Sequence, residues 1–323
     1  MTSPGYEFCN ADREGDRIIA IGVGDNTGWV EVISDDGKNE KKILEIFVKL
    51  LREKDPDIIE GHNVFNFDLP YLLKRAKRYG VELSLGRDGS EPRCRPSRFS
   101  VAERTISYDR CDIFGRHVVD TLFLVHAYDV SHRELDGFGL KEVAIHFGLA
   151  RKGRIYIEGS RITEEYLRNP DKVMEYLRDD IDETRNLSAL LSKSNFVQAQ
   201  ILPYSYQNVC VRGNATKIDA LMVREYLRLG CSLPLPAEAR EFEGGYTDMF
   251  VEGVVENVHH CDIRSLYPSL MLSRKLAPAK DNQGVFLRLL DMLRTFRLQA
   301  KKNMQSCESK AERQYLDALQ ATF

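Results

Sequence analysis

The order of apolar and polar positions predicts alternating strands and helices in the first part of the chain. Residues 17–23 form a short apolar run, and residues 29–33 alternate between apolar and polar side chains. Turn residues separate the two segments, which predicts an antiparallel hairpin. Apolar side chains at helical spacing predict an amphipathic helix over residues 39–53, and Ile58 and Ile59 begin another short strand. This order of elements is typical of a mixed α/β domain.

Helical spacing dominates the rest of the chain. A helix is expected to follow Asp68 and to stop at Gly80, because glycine is favoured at the end of a helix. Further patterns predict a strand that passes into a helix over residues 117–125, a short helix over 140–147, two helical runs over 161–194 that break at 169–170, a helix around 221–227, and two helices over 285–323 that break at 306–309.

Residues 81–112 are rich in Arg, Ser, Pro and Gly and predict an exposed excursion from the domain. Two hypotheses fit its arginines: a patch that contacts a DNA backbone, or an ordinary solvated face. The four arginines are Arg87, Arg93, Arg95 and Arg98.

The composition is that of a soluble globular protein. The 323 residues suffice for about two domains. The net charge of −3 excludes a general basic field, so any contact with DNA must come from local patches. The sequence has no apolar run near the length of a membrane span and no signal peptide, so we expect no membrane contact and a cytoplasmic location.

The seven cysteines are scattered, and no two of them form a Cys-x-x-Cys pair. This spacing argues against a zinc ribbon and against a disulfide framework. The cysteines are therefore expected to be free thiols in a reducing compartment.

The stretch over residues 260–270 is the most distinctive in the chain. An apolar lead-in over residues 251–255 predicts a strand that ends near Asp262, and a tight Ser-Leu-Tyr-Pro-Ser turn follows. Pro268 fixes its own φ, and Ser269 is expected to cap the next helix, whose free amides favour an anion. The alternative is structural: Asp262 caps a strand end and Tyr267 lies in a core.

Two other carboxylates lie in short patterns. Asp68 ends an Asn-x-x-x-Phe-Asp run, and the alternative to a catalytic role is that it caps the following helix. Tyr176 and Asp180 are four apart, so they project from one helix face. They could hold a metal-bound water or form an ordinary exposed pair. Asp120 is expected to be a helix cap rather than a metal ligand.

These motifs together resemble the family B DNA polymerases of prokaryotes. Residues 262–269 resemble motif A, residues 63–68 the second exonuclease motif and residues 176–180 the third. The resemblance implies an α/β fold: an RNase H-like 3′–5′ exonuclease domain, then the start of the polymerase palm and a helical fingers hairpin. The implied bounds are 1–194 for the exonuclease domain, 195–245 for a connector, 246–282 for the palm segment and 283–323 for the fingers helices.

The resemblance also implies roles for individual residues in two Mg²⁺-dependent sites. In the exonuclease site, Asp68 and Asp180 would ligate metal, Tyr176 would orient the attacking water, and Asn63 and Phe67 would seat the DNA strand. In the polymerase site, the implied residues are the metal ligands Asp262 and Ile263 (through its carbonyl), the triphosphate-binding amides of Ser265 and Leu266, the sugar-stacking Tyr267, and the template contacts Gly244, Gly245 and Tyr246. Phe242 replaces a tyrosine of the family's template-contact turn.

Three expected parts of the family pattern are missing. The first exonuclease motif, Asp-x-Glu, is absent, and only Glu7 lies in its region. The fingers Lys motif and the Asp-Thr-Asp palm motif are also absent, so the chain is expected to be a fragment. Because two Mg²⁺ ions need several carboxylates, the isolated chain is predicted to lack polymerase activity and to have little or no exonuclease activity. Without the first strand we also expect a gap in the sheet.

The predicted function is therefore that of part of a DNA-directed DNA polymerase with proofreading. Its partners would be primer-template DNA and deoxynucleoside triphosphates, with a sliding clamp as a further candidate. One alternative is a stand-alone RNase H-like nuclease, which needs neither motif A nor the two glycines. Another is a non-catalytic, polymerase-derived DNA-binding or scaffolding protein, which would suit the missing acids. The last is an unrelated α/β domain with chance motifs.

Overall fold

The structure is a computed structural model that describes residues 2–3, 6, 8–35, 39–102, 104–236, 244–263 and 265–322. The chain divides into two compact units, Met1–Lys217 and Ile218–Phe323. This division falls inside a helix, and residue 194 lies inside another helix. The functional domain bounds expected from the family resemblance therefore stay predictions.

The described strands pair in three separate two-stranded ladders rather than in one sheet. The expected N-terminal hairpin is confirmed, with Ala20 opposite Ser34. A second ladder is parallel, and a third is a long antiparallel hairpin. The expectation that a missing first strand leaves a gap stays a prediction. The strands are β1 (Ala20–Gly24), β2 (Val30–Ser34), β3 (Ile58–Gly61), β4 (Arg93–Val101), β5 (Arg104–Asp112) and β6 (His117–Asp120), paired as β1–β2, β3–β6 and β4–β5.

The helices of the first unit follow the predicted periodicity closely. Gly80 ends the second helix in the left-handed conformation, at φ 62°. The predicted break at residues 169–170 is also present: Asn169 caps the next helix by accepting from the Lys172 amide, and Pro170 begins it. The helices are α1 (Glu40–Lys54), α2 (Asp68–Tyr79), α3 (Thr121–His132), α4 (Leu140–His146), α5 (Ile162–Arg168), α6 (Pro170–Ile201), α7 (Tyr206–Val211) and α8 (Asn214–Arg228), which crosses the unit boundary.

Helix α6 lies directly on β1. A Cβ added to Gly22 would come within 2.6 Å of the Ile181 Cδ1 atom and within 2.8 Å of the Leu177 Cγ atom. Gly24 has a similar approach to Ile181. Only glycine leaves room for this contact, which fixes the helix that carries Tyr176 against the first ladder.

An aromatic cluster forms the centre of the first unit's core. The rings of Phe99 and Phe123 are stacked with centroids 4.6 Å apart, and Tyr108 meets Phe123 edge-on at 4.8 Å. Phe65, which precedes α2, lies 5.3 Å from Tyr108. Two of these side chains come from β4 and β5, so the expectation of an exposed excursion is wrong: the hairpin has a buried apolar face.

The expected arginine patch is only partly free for a ligand. Arg87 forms ion pairs with Asp55 and Asp57, each at 2.8 Å. Arg95 lies 3.4 Å from a carboxylate oxygen of Asp112. The other two arginines of the patch are exposed on β4.

The expectation that all cysteines are free thiols is wrong for two of them. Cys94 and Cys111 are direct partners across the β4–β5 ladder, and a disulfide joins them. Strand register brings the two sulfurs together, and a spacing of 17 residues gives no sign of that register in the sequence. The other five cysteines are free thiols.

The described secondary structure of the second unit consists of helices. Its helices beyond α8 are α9 (Leu266–Ser273), α10 (Val285–Ser306) and α11 (Lys310–Thr322). The last two pack together and confirm the predicted helical pair. Among the described helices of the chain, none has the length and apolar character needed to span a membrane.

Two predictions for the motif A region are wrong. Residues 251–255 do not form a strand, and Val254 is fully exposed. A strand requires a paired neighbour, and no described segment pairs with this one. Ser269 does not cap α9 either, because it lies inside the helix and donates its amide to the Ser265 carbonyl. Glu7 and Phe242 lie outside the described residues.

Candidate active site

Asp68 lies in the first turn of α2, immediately after the loop that leaves β3. The N-cap position is Phe67, without a side-chain capping bond, so the hypothesis that Asp68 is a simple helix cap is wrong. The preceding loop turns at Asn63, whose φ is 68°. The Phe67 amide donates to the Asn63 carbonyl at 3.0 Å, which closes the turn.

Asp120, at the end of β6, holds this loop in place. Its carboxylate accepts from the amides of Asn63 at 2.8 Å and Phe65 at 3.2 Å. It also caps α3 by accepting from the Leu122 amide at 3.0 Å, which confirms the capping hypothesis. The parallel pairing of β3 with β6 places Gly61 opposite Asp120, so the two strand ends bring the loop and the cap together.

The carboxyl groups of Asp68 and Asp120 are electrostatic neighbours. Burial raises the pKa of Asp120 to about 6, although four backbone amides stabilise its charged form. Asp68 is an exposed residue, but burial of its carboxyl group disfavours the charged form. This desolvation, together with the charge of Asp120, raises the pKa of Asp68 to about 7. The site therefore holds a carboxyl group that titrates near neutral pH.

Phe67 and Asn63 differ in their accessibility. The Phe67 residue is 45% exposed, and its ring centroid lies 5.4 Å from that of Tyr71. Asn63 is half-buried, and its backbone amide donates a hydrogen bond to Asp120. An exposed aromatic ring beside Asp68 is suited to stacking against a base.

Tyr176 and Asp180 lie on one face of α6, where the Tyr176 hydroxyl stabilises the charged form of Asp180. The hypothesis of an exposed helical pair is wrong, because both residues are half-buried. Burial raises the pKa of Asp180, while Arg154 and the Tyr176 hydroxyl oppose this shift. Burial and the Asp180 charge raise the pKa of Tyr176.

Arg154 is a component of this site that the sequence analysis missed. It donates to an Asp180 oxygen at 2.5 Å and forms two hydrogen bonds of 2.8 Å with Glu183. Its side chain is 1% exposed. No motif marks it among the 46 Lys and Arg residues of the chain. The nearby Tyr156, whose ring lies 4.8 Å from its guanidinium carbon, belongs to no recognised pattern either.

The polymerase-motif residues form no comparable site within the described part of the second unit. Asp262 is exposed, and Ile263 and Tyr267 are 63% and 69% exposed. Leu266 begins α9 directly after Ser265, so helix amides do start at this point. Gly244 and Gly245 have no described atom within 4 Å of an added Cβ, and the Tyr246 hydroxyl donates to Asp248.

The described residues do not fit the metal sites that the family resemblance implies. Nowhere in that part of the chain do three or more His, Cys, Asp or Glu side chains form a group that could hold a metal ion. The reason is visible in the contacts. Asp120 is occupied by backbone amides, and Asp180 is occupied by Arg154 and Tyr176.

These features define an α/β domain with two carboxylate centres, one at the start of α2 and one on α6. The sequence profile described as "DNA polymerase family B, exonuclease domain" matches residues 24–143. This range contains Asp68 and the loop before it, which we call the α2 centre, and also Asp120, which accepts hydrogen bonds from that loop.

Similarities to individual proteins extend over more of the chain than this profile does. A DNA polymerase of Archaeoglobus fulgidus is 30% identical over 98% of this chain. DNA polymerase 2 of Aeropyrum pernix is 29% identical over 83% of it. The structure of the family B DNA polymerase from Pyrobaculum calidifontis matches 95% of this chain with a TM-score of 0.69 at 24% identity, which shows a shared fold.

Residues 24–143 are thus similar to the exonuclease domain of the family B DNA polymerases, and nearly the whole chain is similar to a DNA polymerase. The chain spans 41% of the Archaeoglobus relative, 32% of the Aeropyrum relative and 43% of the Pyrobaculum chain.

Proposed function

We propose that this chain is the exonuclease-domain part, with the beginning of the polymerase part, of a DNA-directed DNA polymerase that proofreads from the 3′ end. The observation that carries the proposal is the α2 centre: Asp68 follows strand β3 beside an exposed Phe67, and Asp120 buttresses the loop. It lies within the residues that match the exonuclease profile.

In this proposal the α2 centre seats the 3′-terminal strand. Phe67 stacks against a base, and Asn63 shapes the turn on which the strand rests. In the longer protein, Asp68 and Asp180 would be the acids of the exonuclease site, and Tyr176 would position water beside the scissile phosphate. These roles are supported by the order of the motifs and by the half-buried Tyr176–Asp180 pair on α6.

The polymerase roles are proposed for the longer protein. Asp262 and the Ile263 carbonyl would bind metal there, Ser265 and Leu266 would bind triphosphate, and Tyr267 would lie under the sugar. Gly244, Gly245 and Tyr246 would contact the template. The start of α9 at Leu266 supports the triphosphate role, because helix amides favour an anion.

The remaining proposals concern the same longer protein. In that protein, α10 and α11 would form the fingers, and two Mg²⁺ ions and deoxynucleoside triphosphates would be required. A sliding-clamp partner and a cytoplasmic location are proposed for it as well. For the chain itself we propose DNA binding without efficient catalysis. The alternative of a stand-alone exonuclease is not favoured, because such a nuclease needs neither motif A nor Gly244 and Gly245.

The proposal is tested by binding of the chain to a fluorescent single strand with a free 3′ end, measured by anisotropy at several salt concentrations. Phe67→Ala should weaken binding by about tenfold, since stacking on an aromatic side chain contributes on the order of 1–3 kcal/mol per base. Phe114→Ala is the matched control, because Phe114 is 63% exposed and lies in the turn after β5. Equal effects of the two substitutions, or no binding at low salt, would contradict the proposal.

A further inference from the structure

The guanidinium group of Arg154 is enclosed on all sides by partners. Its Nε and Nη2 atoms donate to the two Glu183 oxygens, both at 2.8 Å, and Nη2 also donates to Asp180 at 2.5 Å. The remaining nitrogen donates to the Ile155 carbonyl. The guanidinium carbon lies 5.1 Å from the Tyr176 ring centroid, within the range of a cation–π contact.

A second cation lies in the same neighbourhood. The Lys141 Nζ atom is 4.7 Å from the Tyr176 ring centroid and donates to the Ile157 carbonyl at 2.6 Å. Its charge acts on Asp180 in the same direction as that of Arg154. Two positive side chains therefore face the two carboxylates Asp180 and Glu183, so the local charges balance without an added ion.

The contact with Asp180 is not required to bury Arg154. The two bonds to Glu183, whose side chain is 3% exposed, already form a bidentate pair of the kind that arginine favours in interiors. The Asp180 side chain is 24% exposed, so it is the carboxylate that an ion from solvent would reach first. The bond from Arg154 to Asp180 thus occupies the more accessible of the two carboxylates.

We infer that Arg154 is the internal counter-ion of Asp180 and that it keeps divalent cations off this carboxylate in this chain. A divalent ion at Asp180 would have to displace the bond from Arg154 and approach two positive groups. The inference concerns ion occupancy without DNA, so it stands or falls separately from the proposed function.

The test of this inference is Mn²⁺ binding to the whole chain at neutral pH without DNA. Electron paramagnetic resonance measures the bound and free Mn²⁺. Asp180→Asn should leave the Mn²⁺ affinity of the wild type unchanged, because the carboxylate holds no ion. Arg154→Met should create a site whose affinity is at least about tenfold higher, since a nearby opposing charge is removed. Adding Asp180→Asn to Arg154→Met should abolish this gain.

Two controls separate charge from packing. Arg151→Met removes a neighbouring arginine that pairs with Asp179 and Glu175 instead of Asp180, and it should give no new site. Arg154→Lys keeps a positive charge at the same position and should behave like the wild type.

The wild-type comparison keeps the inference falsifiable if Arg154→Met does not fold. Mn²⁺ binding by the wild-type chain that is lost in Asp180→Asn would overturn the inference. An Arg154→Met chain that folds, as judged by circular dichroism, and yet gains no Asp180-dependent affinity would also overturn it. Unchanged affinity in Asp180→Asn together with a gain in Arg154→Met would support it.

Discussion

The loop before Asp68 and the stretch over residues 244–263, which ends just after Asp262, both carry motifs of the same family. The loop is packed against other segments, whereas the stretch is exposed. The Asp68 loop is fixed by hydrogen bonds that its backbone amides donate to Asp120, and it contacts the aromatic core through Phe65. The Asp262 stretch has no strand, and Val254 within it is fully exposed. The difference teaches that a motif specifies chemistry, whereas its geometry depends on segments that lie elsewhere in a chain.

The largest expected contrast is between aromatic side chains of the two regions. Phe123→Ala should lower the free energy of unfolding by about 3–5 kcal/mol, because it removes a buried ring that stacks on Phe99. Phe250→Ala should change it by less than about 0.5 kcal/mol, because Phe250 is 83% exposed. Urea denaturation followed by circular dichroism measures both. Similar losses in the two variants would mean that the Asp262 stretch is packed after all.

A second contrast concerns the ion pair that ties α1 to the helix carrying Asp68. Arg75 and Glu40 are paired at 2.6 Å with side chains 0% and 2% exposed. Glu40→Gln should cost about 3 kcal/mol of unfolding free energy, because it leaves a buried guanidinium without its charged partner. Glu53→Gln breaks the exposed pair with Lys49 and should cost less than about 0.5 kcal/mol. A small loss in Glu40→Gln would show that this helix is not anchored as described.

The pH dependence of stability sharpens the contrast at Asp68 itself. Its pKa is raised to about 7 in the folded protein, so the native state retains a proton that the unfolded chain has lost. Its contribution to the unfolding free energy therefore declines as the pH rises from about 4 to about 7. Asp68→Asn removes this decline, so the variant should gain stability relative to the wild type on going from pH 5 to pH 8. Denaturation midpoints at the two pH values measure the change, and a parallel response of both proteins would contradict it.

The smallest expected effect on folding follows cleavage of the exposed stretch. Chymotrypsin should cut first near Tyr246 and Phe250, because both are 83% exposed and no described strand or helix includes them. The first unit should keep its unfolding midpoint after this cut. Mass spectrometry of early fragments checks the position, and early cleavage within β4 or β5 would argue against the difference between the regions.

Local pattern was sufficient to predict most helices and the first hairpin. The Gly80 stop, the break at Asn169 and Pro170, and the Asp120 cap all depend on neighbours within a few residues. Features that depend on such short-range interactions can be predicted from a single sequence. The predicted positions of this stop, this break and this cap agreed with the structure, whereas α6 continues to Ile201, seven residues beyond its predicted end.

Non-local pairing was not predictable in the same way. The Cys94–Cys111 bond depends on strand register, and the contact of Arg154 with Asp180 joins residues 26 apart on different segments. The expected strand before Asp262 failed for the same reason, because alternation of apolar residues does not supply a pairing partner. The acids of the motifs were recognised, whereas the partners that decide their charge were not.

The most direct test is incubation of the purified chain with 5′-labelled primer-template DNA, Mg²⁺ or Mn²⁺ and deoxynucleoside triphosphates. The predicted result is a primer that is neither extended nor shortened at a rate above that of the Asp68→Asn and Asp180→Asn variants. Extension of the primer, or shortening that either substitution abolishes, would contradict the proposal that this chain lacks efficient catalysis.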